Sequence, residues 1–246
     1  MKDEIKRFRE LALSAAHTGR TRFTRFLDPA LEEEARCAAN RNGAQIDFFG
    51  GYPDAERRVA AFYDQIPPEP KDYPVAALGL GWNERFGHCG HRDLLGAVTG
   101  LGLERDTLGN IGMGGEPGLA YLFCHRDVAG YIRDNLTSAG RVGLRVSPAK
   151  NVDIAPPEGE MRRVTVQTLR LDGLVAAGCR LSRGEAQRLI ETGLVKLNHV
   201  PCMHCDSRVP QGSLISVRGF GRMRVEEIQG ETRRGRVGVL LFCYGK

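Results

Sequence analysis

The chain has 246 residues, of which 41% are hydrophobic and 26% are charged, and its formal net charge is +5. It contains no apolar run of the roughly 18 residues that a membrane-spanning helix requires. The opening Met1-Lys2-Asp3-Glu4 carries two acids and no apolar segment, so we expect neither a secretory signal nor a transit peptide. We therefore expect a cytoplasmic protein without a membrane partner, with its irregularly spaced cysteines reduced.

The positive charge is concentrated in the last third of the chain. Residues 161–246 contain 15 Lys or Arg against 7 Asp or Glu, whereas residues 1–160 contain 20 against 23. A basic segment joined to a nearly neutral body is typical of proteins that bind polyanions. Charge alone does not distinguish RNA from a membrane surface.

The order of helical and strand patterns predicts an α+β protein of three units, comprising residues 1–72, 73–150 and 162–246. The first of these is an N-terminal α/β unit. Its predicted elements are a helix over Lys2–Ala16, a second helix that Asp28 caps before Pro29, a strand over Ala44–Phe49 and helical spacing over Asp54–Tyr63. The proline-rich segment 67–70 breaks regular structure and marks the end of this unit.

The second unit alternates strand and helix patterns in the order strand-helix-strand-strand-helix-strand. The predicted strands are Val75–Leu80, Leu108–Met113, Ala120–Cys124 and Val142–Val146, and the predicted helices are Arg92–Leu103 and Asp127–Ser138. This order predicts the split βαβ, or ferredoxin-like, fold that RNA-recognition modules also use. The aromatic pair on which those modules stack bases is not evident in the sequence.

The third unit combines two short helices with a small antiparallel sheet. One helix begins near Leu171, and Ser182 with Glu185 forms a capping box that begins the second. Gly193 is a natural end for that helix. Alternating apolar and polar residues then predict strands at Val195–Asn198 and Leu214–Arg218.

Basic and polar side chains of this unit are suited to RNA. The start of a helix offers free N–H groups to phosphate, and guanidinium groups bind phosphate with two parallel hydrogen bonds. The predicted RNA-binding residues are Arg170, Arg180, Ser182, Arg183, Gln187, Arg188, Lys196, Asn198, His199, Arg208, Arg218, Arg222 and Arg224. A later hairpin adds Arg233, Arg234 and Arg236.

The spacing of these residues resembles the S-four RNA-binding domain, named after the fourth protein of the small ribosomal subunit. The matching residues are Arg170-Leu171-Asp172, Ser182-Arg183, Ala186, Leu189-Ile190, Gly193, Val195, Leu197-Asn198, Arg208-Val209, Gly212 and Ile215–Arg218. The resemblance implies two helices and a sheet that grip folded RNA. His199 stands where the domain pattern has Gly, and Ser213 where it has Asp, which affects the geometry of two turns.

Motifs outside this unit extend the resemblance over nearly the whole chain to YlmH proteins, which are bacterial S-four-domain proteins of three parts. They are Phe26–Pro29, Gly50–Arg58, His91–Gly96 and Gly219–Arg222. The resemblance implies contact with rRNA and tRNA on the large ribosomal subunit during rescue of stalled translation. We further expect a monomeric, non-enzymatic protein without cofactors. Gly50–Arg58 is compatible with a structural turn or with a further RNA or partner contact.

Three other interpretations remain open. Arg170-Leu171-Asp172 is similar to the catalytic triplet of pseudouridine synthases, so one alternative is an RNA-modifying enzyme, although Asp172 fits the start of a helix better. Another is a cell-division scaffold for which RNA binding is incidental. The third concerns His199, Cys202, His204 and Cys205, which could ligate zinc, but we expect a reduced loop without metal.

Overall fold

The computed structural model describes residues 2–231 and 235–245 and shows a protein of mixed helix and sheet, which confirms the predicted α+β class. The chain divides into two compact units, Met1–Ala155 and Pro156–Lys246. The boundary predicted near residue 72 lies inside the first unit, so the division into three units stays a prediction. Among the described residues, no helix has the length and apolar character required to cross a membrane.

The N-terminal part of the first unit packs two helices on a three-stranded antiparallel sheet. Its elements are α1 (Lys2–Thr18), β1 (Arg22–Phe26), α2 (Glu32–Arg41), β2 (Gln45–Phe49) and β3 (Val59–Tyr63), with strand order β1-β3-β2. Asp28 caps a single 3-10 turn before α2, and its carboxylate accepts from the Ala30 N–H at 3.1 Å. Phe8, Ala12 and Phe62 are fully buried between the helices and the sheet.

The helical spacing predicted over Asp54–Tyr63 is wrong, because Val59–Tyr63 forms the central strand of this sheet. Its first four residues are buried on both faces, and a short continuous apolar run does not reveal its period. Strand β1 was not predicted either. The polar residue Thr24 interrupts the apolar alternation of β1. Thr24 is nevertheless buried, and its hydroxyl accepts a hydrogen bond from the Ala60 N–H at 2.9 Å.

The central part of the first unit has the strand order β5-β6-β4-β9, with every neighbouring pair antiparallel. Its elements are β4 (Val75–Gly81), α3 (His91–Thr99), β5 (Leu108–Met113), β6 (Leu119–His125), α4 (Arg126–Asn135), the short pair β7 (Ser138–Ala139) and β8 (Val142–Gly143), and β9 (Arg145–Pro148). This is the predicted split βαβ topology. The strand predicted over Val142–Val146 is displaced, because residues 142–143 pair with β7 and only the later residues pair with β4.

The two sheets of the first unit pack face to face. Leu80, Leu122 and other alternate residues of the central sheet face α3 and α4, whereas Tyr121 and Phe123 face the N-terminal sheet. Gly51 allows this approach, since a Cβ there would lie 2.1 Å from Cδ1 of Phe123. The unit is therefore a four-layer structure of helices, sheet, sheet and helices.

The second unit is a six-stranded antiparallel sheet covered on one face by two helices. Its elements are β10 (Gly159–Val166), α5 (Leu171–Cys179), α6 (Arg183–Glu191), β11 (Val195–Leu197), β12 (Val200–Pro201), β13 (Leu214–Val217), β14 (Gly221–Glu231) and β15 (Val237–Tyr244). The strand order is β10-β15-β14-β13-β11-β12. Leu174, Ile190 and Val225 lie in the core between helices and sheet. The capping box predicted at Ser182 is present at the start of α6.

Candidate RNA-binding surface

A buried carboxylate organises the side chains at the junction of α5 and α6. Asp172, in the first turn of α5, has no exposed surface. Arg170 donates to Oδ1 at 3.2 Å and to Oδ2 at 3.3 Å. Arg183 donates to Oδ2 from Nε at 3.1 Å and from Nη2 at 3.0 Å, and Gln187 donates to the same oxygen at 3.2 Å. Three predicted RNA-binding residues thus meet at one acid.

The charge of Asp172 is stabilised by these donors. Burial raises the pKa of the carboxyl group, but hydrogen bonds from Arg170, Arg183 and Gln187 lower it, and the net pKa lies below its ordinary value. The carboxylate therefore stays ionised and holds both guanidinium groups in place. The Arg170 and Arg183 side chains remain 39% and 57% exposed, so they are fixed by the acid and still reach solvent.

A groove of about 460 Å³ lies beside this cluster, between the end of β10 and the start of α5. Arg170, Arg183 and Arg236 line it together with the polar side chains of Thr165, Gln167 and Thr168. Arg236 donates from Nη2 to the Thr165 carbonyl oxygen at 2.7 Å, which ties β15 to β10 at the groove. Val166, Ala176, Ala177 and Leu181 form the apolar part of the groove. Its three guanidinium groups suit the phosphates of a folded RNA.

The capping box at the start of α6 determines which groups the N-terminus of this helix can offer to a phosphate. The Ser182 hydroxyl donates to Oε2 of Glu185 at 2.7 Å and accepts from the Glu185 N–H at 3.3 Å. The Ser182 N–H donates to the same carboxylate at 2.8 Å, and these bonds lower the pKa of Glu185. Ser182 is thus a capping residue, and a phosphate at this point would meet a carboxylate. Its RNA contact stays a prediction.

The remaining basic residues near the helices are exposed. Arg208 forms an antiparallel bridge with Arg170, so it lies beside the Asp172 cluster, and Arg188 follows Gln187 on α6. Arg180 ends α5 in the left-handed conformation, with φ of 58°. Arg218 follows β13, where its N–H donates to the Leu194 carbonyl oxygen at 2.9 Å. Their RNA contacts remain predictions.

The turn between β11 and β12 keeps its shape without the expected glycine. Asn198 and His199 have φ values of 48° and 70°, the pair of positive angles that a two-residue hairpin turn requires. Asn and His tolerate this region better than most residues. The Asn198 side-chain oxygen also accepts from the Leu214 N–H at 2.9 Å. Asn198 therefore has a structural role in addition to its predicted one.

Lys196, Arg222 and Arg224 lie on the opposite face of the sheet from the helices. Lys196 is in register with Ser216, and Ser216 with Arg222, while the alternate residues of the same strands enter the core. The Arg222 guanidinium carbon lies 4.9 Å from the Tyr244 ring centroid. The Tyr244 ring in turn packs edge-on against Phe242 at 5.0 Å. We call this partly exposed surface the outer sheet face.

Nine of the thirteen predicted residues divide between two surfaces, whereas the other four lie at a helix end or in turns, namely Arg180, Asn198, His199 and Arg218. The first surface, which we call the helix side, comprises the Asp172 cluster, its bridge partner and the neighbouring polar residues of α6, namely Arg170, Ser182, Arg183, Gln187, Arg188 and Arg208. Tyr244 and Phe242 were not among the predicted residues. The spacing of Phe242 and Tyr244, two residues apart, was the available signal for two aromatic rings on one face of a strand. Arg236 lines the groove, whereas Arg233 and Arg234 lie outside the described residues.

Two other motifs have structural roles. Cys202 lies 3.2 Å from the Ser207 hydroxyl oxygen, and Cys205 donates weakly to the Gln187 carbonyl oxygen at 3.8 Å. In the described part of the chain, no group of three or more His, Cys, Asp or Glu could hold a metal ion.

In Gly50–Arg58, the Arg57 N–H donates to Asn110 Oδ1 at 2.8 Å. Burial of Arg57 lowers the pKa of its guanidinium group. Arg57 therefore has a structural role, and the RNA or partner contact of this motif stays a prediction.

Comparisons with known proteins agree with this architecture. Residues 68–153 match the family described as "Putative RNA-binding domain in YlmH". The chain is 34% identical over 218 residues to the Bacillus subtilis (strain 168) "Ribosome-associated protein quality control protein P2", covering 87% of this chain and 84% of that protein.

The structure is also similar to the "Cell division protein ylmH from Streptococcus pneumoniae", with a TM-score of 0.50 and 20% identity. The similarity covers 60% of this chain and 90% of that one, and it shows a shared fold. The identity and coverage of the Bacillus relative, together with the matched domain, show that the chain belongs to the YlmH family.

Proposed function

We propose that the protein is a non-enzymatic RNA-binding factor that acts on the ribosome in the cytoplasm, in quality control of stalled translation. As a monomer, it contacts rRNA and tRNA on the large subunit. The Bacillus relative named for ribosome-associated quality control supports the setting. The basic charge of the second unit supports a polyanionic partner.

The observation that carries this proposal is the groove beside Asp172. Its buried carboxylate orients Arg170 and Arg183, and Arg236 completes the set of guanidinium groups. Arginines whose geometry is fixed before binding lose less conformational entropy when they bind phosphate. The helix side is thus suited to hold the backbone of folded RNA.

The same geometry disfavours the pseudouridine synthase interpretation. A catalytic aspartate has to reach the base that it attacks, whereas Asp172 has no exposed surface and both of its oxygens accept hydrogen bonds. Asp172 is therefore placed to support the two helices and their arginines. The RNA contact is positional, and it fixes the protein on its partner.

Cosedimentation of the full-length protein with ribosomal particles, at low and high salt, tests the proposal. The test variant is Arg188→Glu with Arg208→Glu, two exposed residues outside the Asp172 hydrogen bonds, and the control is Arg7→Glu with Arg9→Glu on α1, which changes the charge equally. Arg183→Glu is unsuitable, because it would place a second carboxylate beside Asp172.

We expect wild type and control to migrate with large subunits at low salt and to dissociate at high salt, with crosslinks in rRNA and tRNA. The test variant should migrate free. Wild-type protein that migrates free at low salt would contradict the ribosomal assignment and favour a scaffold or enzyme. A test variant that sediments like wild type would exclude the surface around Arg188 and Arg208 from the interface.

A further inference from the structure

The central sheet does not offer its open face to RNA. RNA-recognition modules stack unpaired bases on aromatic side chains of an exposed sheet face. The corresponding rings here, Tyr121 and Phe123, are 7% and 0% exposed because the N-terminal sheet covers them. The opposite face carries α3 and α4. RNA bound by residues 68–153 would therefore use an edge or a loop.

Phe86 is the most exposed aromatic residue in the described part of the first unit, with 81% of its surface accessible. It lies in the 3-10 turn Glu84–Phe86 that connects β4 to α3. The turn is ordered by Asn83, whose side-chain oxygen accepts from the Arg85 N–H at 3.0 Å. The backbone carbonyl of Asn83 accepts from the Phe86 N–H at 3.0 Å. The exposed ring thus stands on a defined turn.

Three exposed arginines lie in this turn or on elements next to it. Gly87 lies against the β7–β8 hairpin, since a Cβ on Gly87 would lie 2.8 Å from Cγ2 of Val142, and Arg141 is at the tip of that hairpin. Arg145 pairs with Gly81 at the end of β4, just before the turn. Arg85, Arg141 and Arg145 are all exposed.

Three acidic residues also lie in or near the turn. Glu84 lies in the same turn, 3.8 Å from His88 Nδ1, and Asp93 accepts from the Gly90 N–H at 3.0 Å. Glu116 is exposed on the loop before β6. The three arginines lie on the turn, the hairpin tip and β9, and they match these acids in number.

We propose that Phe86, Arg85, Arg141 and Arg145 form a second RNA contact that takes an unpaired nucleotide. The Phe86 ring stacks on the base, and the arginines bind the flanking phosphates. The inference rests on the proposed RNA-binding function and adds to it a site and a substrate class. The helix side would hold folded RNA, whereas the Phe86 site holds a single-stranded segment of it.

Substitutions at Phe86 separate stacking from general apolar contact. The full-length protein is titrated with a labelled single-stranded oligouridylate and, separately, with a labelled RNA hairpin. Phe86→Ala and Phe86→Leu should weaken oligouridylate binding by about 5- to 150-fold, the range for loss of one stacked base, whereas Phe86→Trp should keep it. Arg141→Glu should lower the salt dependence of the same binding.

Ile66 supplies a matched control, because it is also 81% exposed and lies in a loop of the same unit. Ile66→Ala should bind oligouridylate like wild type, and hairpin binding should be unchanged in every Phe86 variant. A Phe86→Leu variant that binds like wild type would overturn the stacking site in favour of an apolar protein contact. Wild-type protein that binds the hairpin but not oligouridylate would overturn this inference and leave the proposed function standing. Failure to bind either RNA would overturn both.

Discussion

The two large sheets of the protein use aromatic side chains in opposite ways. In the central sheet, Tyr121 and Phe123 are buried under a second sheet and contribute to the core. In the second unit, Phe242 and Tyr244 stand on the outer sheet face beside Arg222, where they remain partly exposed. An antiparallel strand thus presents aromatic rings to a core or to solvent according to what packs on its face. The amino-acid composition of a strand therefore does not decide whether its aromatic rings are buried or exposed.

The largest expected difference is in stability. Phe123→Ala should lower the free energy of unfolding of the first unit by about 3–5 kcal/mol, because it leaves a cavity between two packed sheets. Tyr244→Ala should cost less than about 1.5 kcal/mol in the second unit, because that ring is only partly buried. Urea unfolding followed by the fluorescence of Trp82, the single tryptophan, reports on the first unit, and hydrogen exchange of β14 and β15 across the same urea series reports on the second. Equal losses in the two variants would contradict the comparison.

A second prediction concerns the buried acid of the helix side. Asp172→Asn should destabilise the second unit by roughly 2 kcal/mol, because it weakens charge-assisted hydrogen bonds to two arginines. Since the folded pKa of Asp172 is lowered, its contribution is complete above the unfolded pKa and is lost as pH falls through the folded value.

The variant should therefore lose part of the acid sensitivity of wild type below about pH 4. Hydrogen exchange of α5 and α6, measured by mass spectrometry across this range, tests both effects. Wild type and variant that lose protection in parallel as pH falls would show that another group controls the acid response.

A third prediction compares the helix side with the outer sheet face as RNA surfaces. Arg188→Glu with Arg208→Glu should weaken binding of an RNA hairpin about tenfold or more and lower the salt slope by about 2. Lys196→Glu with Arg222→Glu should have a smaller effect, because a rigid hairpin does not contact two opposite faces at once. Equal losses from the two pairs would show that the RNA wraps around the unit.

The smallest predicted effect is at the β11–β12 turn. His199→Gly should raise the free energy of unfolding of the second unit by about 0.5 kcal/mol, because glycine adopts the positive φ of this position without strain. Asn198→Ala is the opposing control, since it removes the acceptor of the Leu214 N–H. A destabilised His199→Gly variant would show that the imidazole makes a stabilising contact.

Local signals in the sequence predicted much of this fold. The capping box of Ser182 and Glu185 spans four residues, so its partners are readable from spacing alone. The split βαβ order followed from alternating patterns of helix and strand. Strand β3 was mistaken for a helix because a strand buried on both faces has no alternation to display.

The arrangement of the candidate site was less predictable, because it depends on contacts between distant residues. Arg183 and Gln187 lie four residues apart and therefore share a face of α6, but their common partner Asp172 lies 11 residues before Arg183 on another helix. Strand register separated Lys196 and Arg222 from the helix side, and register is a property of the assembled sheet.

The covered sheet of the first unit also bears on how the protein can be divided for laboratory work. A fragment limited to residues 68–153, the span of the matched family domain, would lack the strands that pack on Tyr121 and Phe123. It would expose a broad apolar sheet face to water, and such surfaces promote aggregation. A fragment that ends near residue 155 and retains α1 to β3 keeps that sheet face covered. Soluble expression of the fragment should therefore depend on the N-terminal sheet.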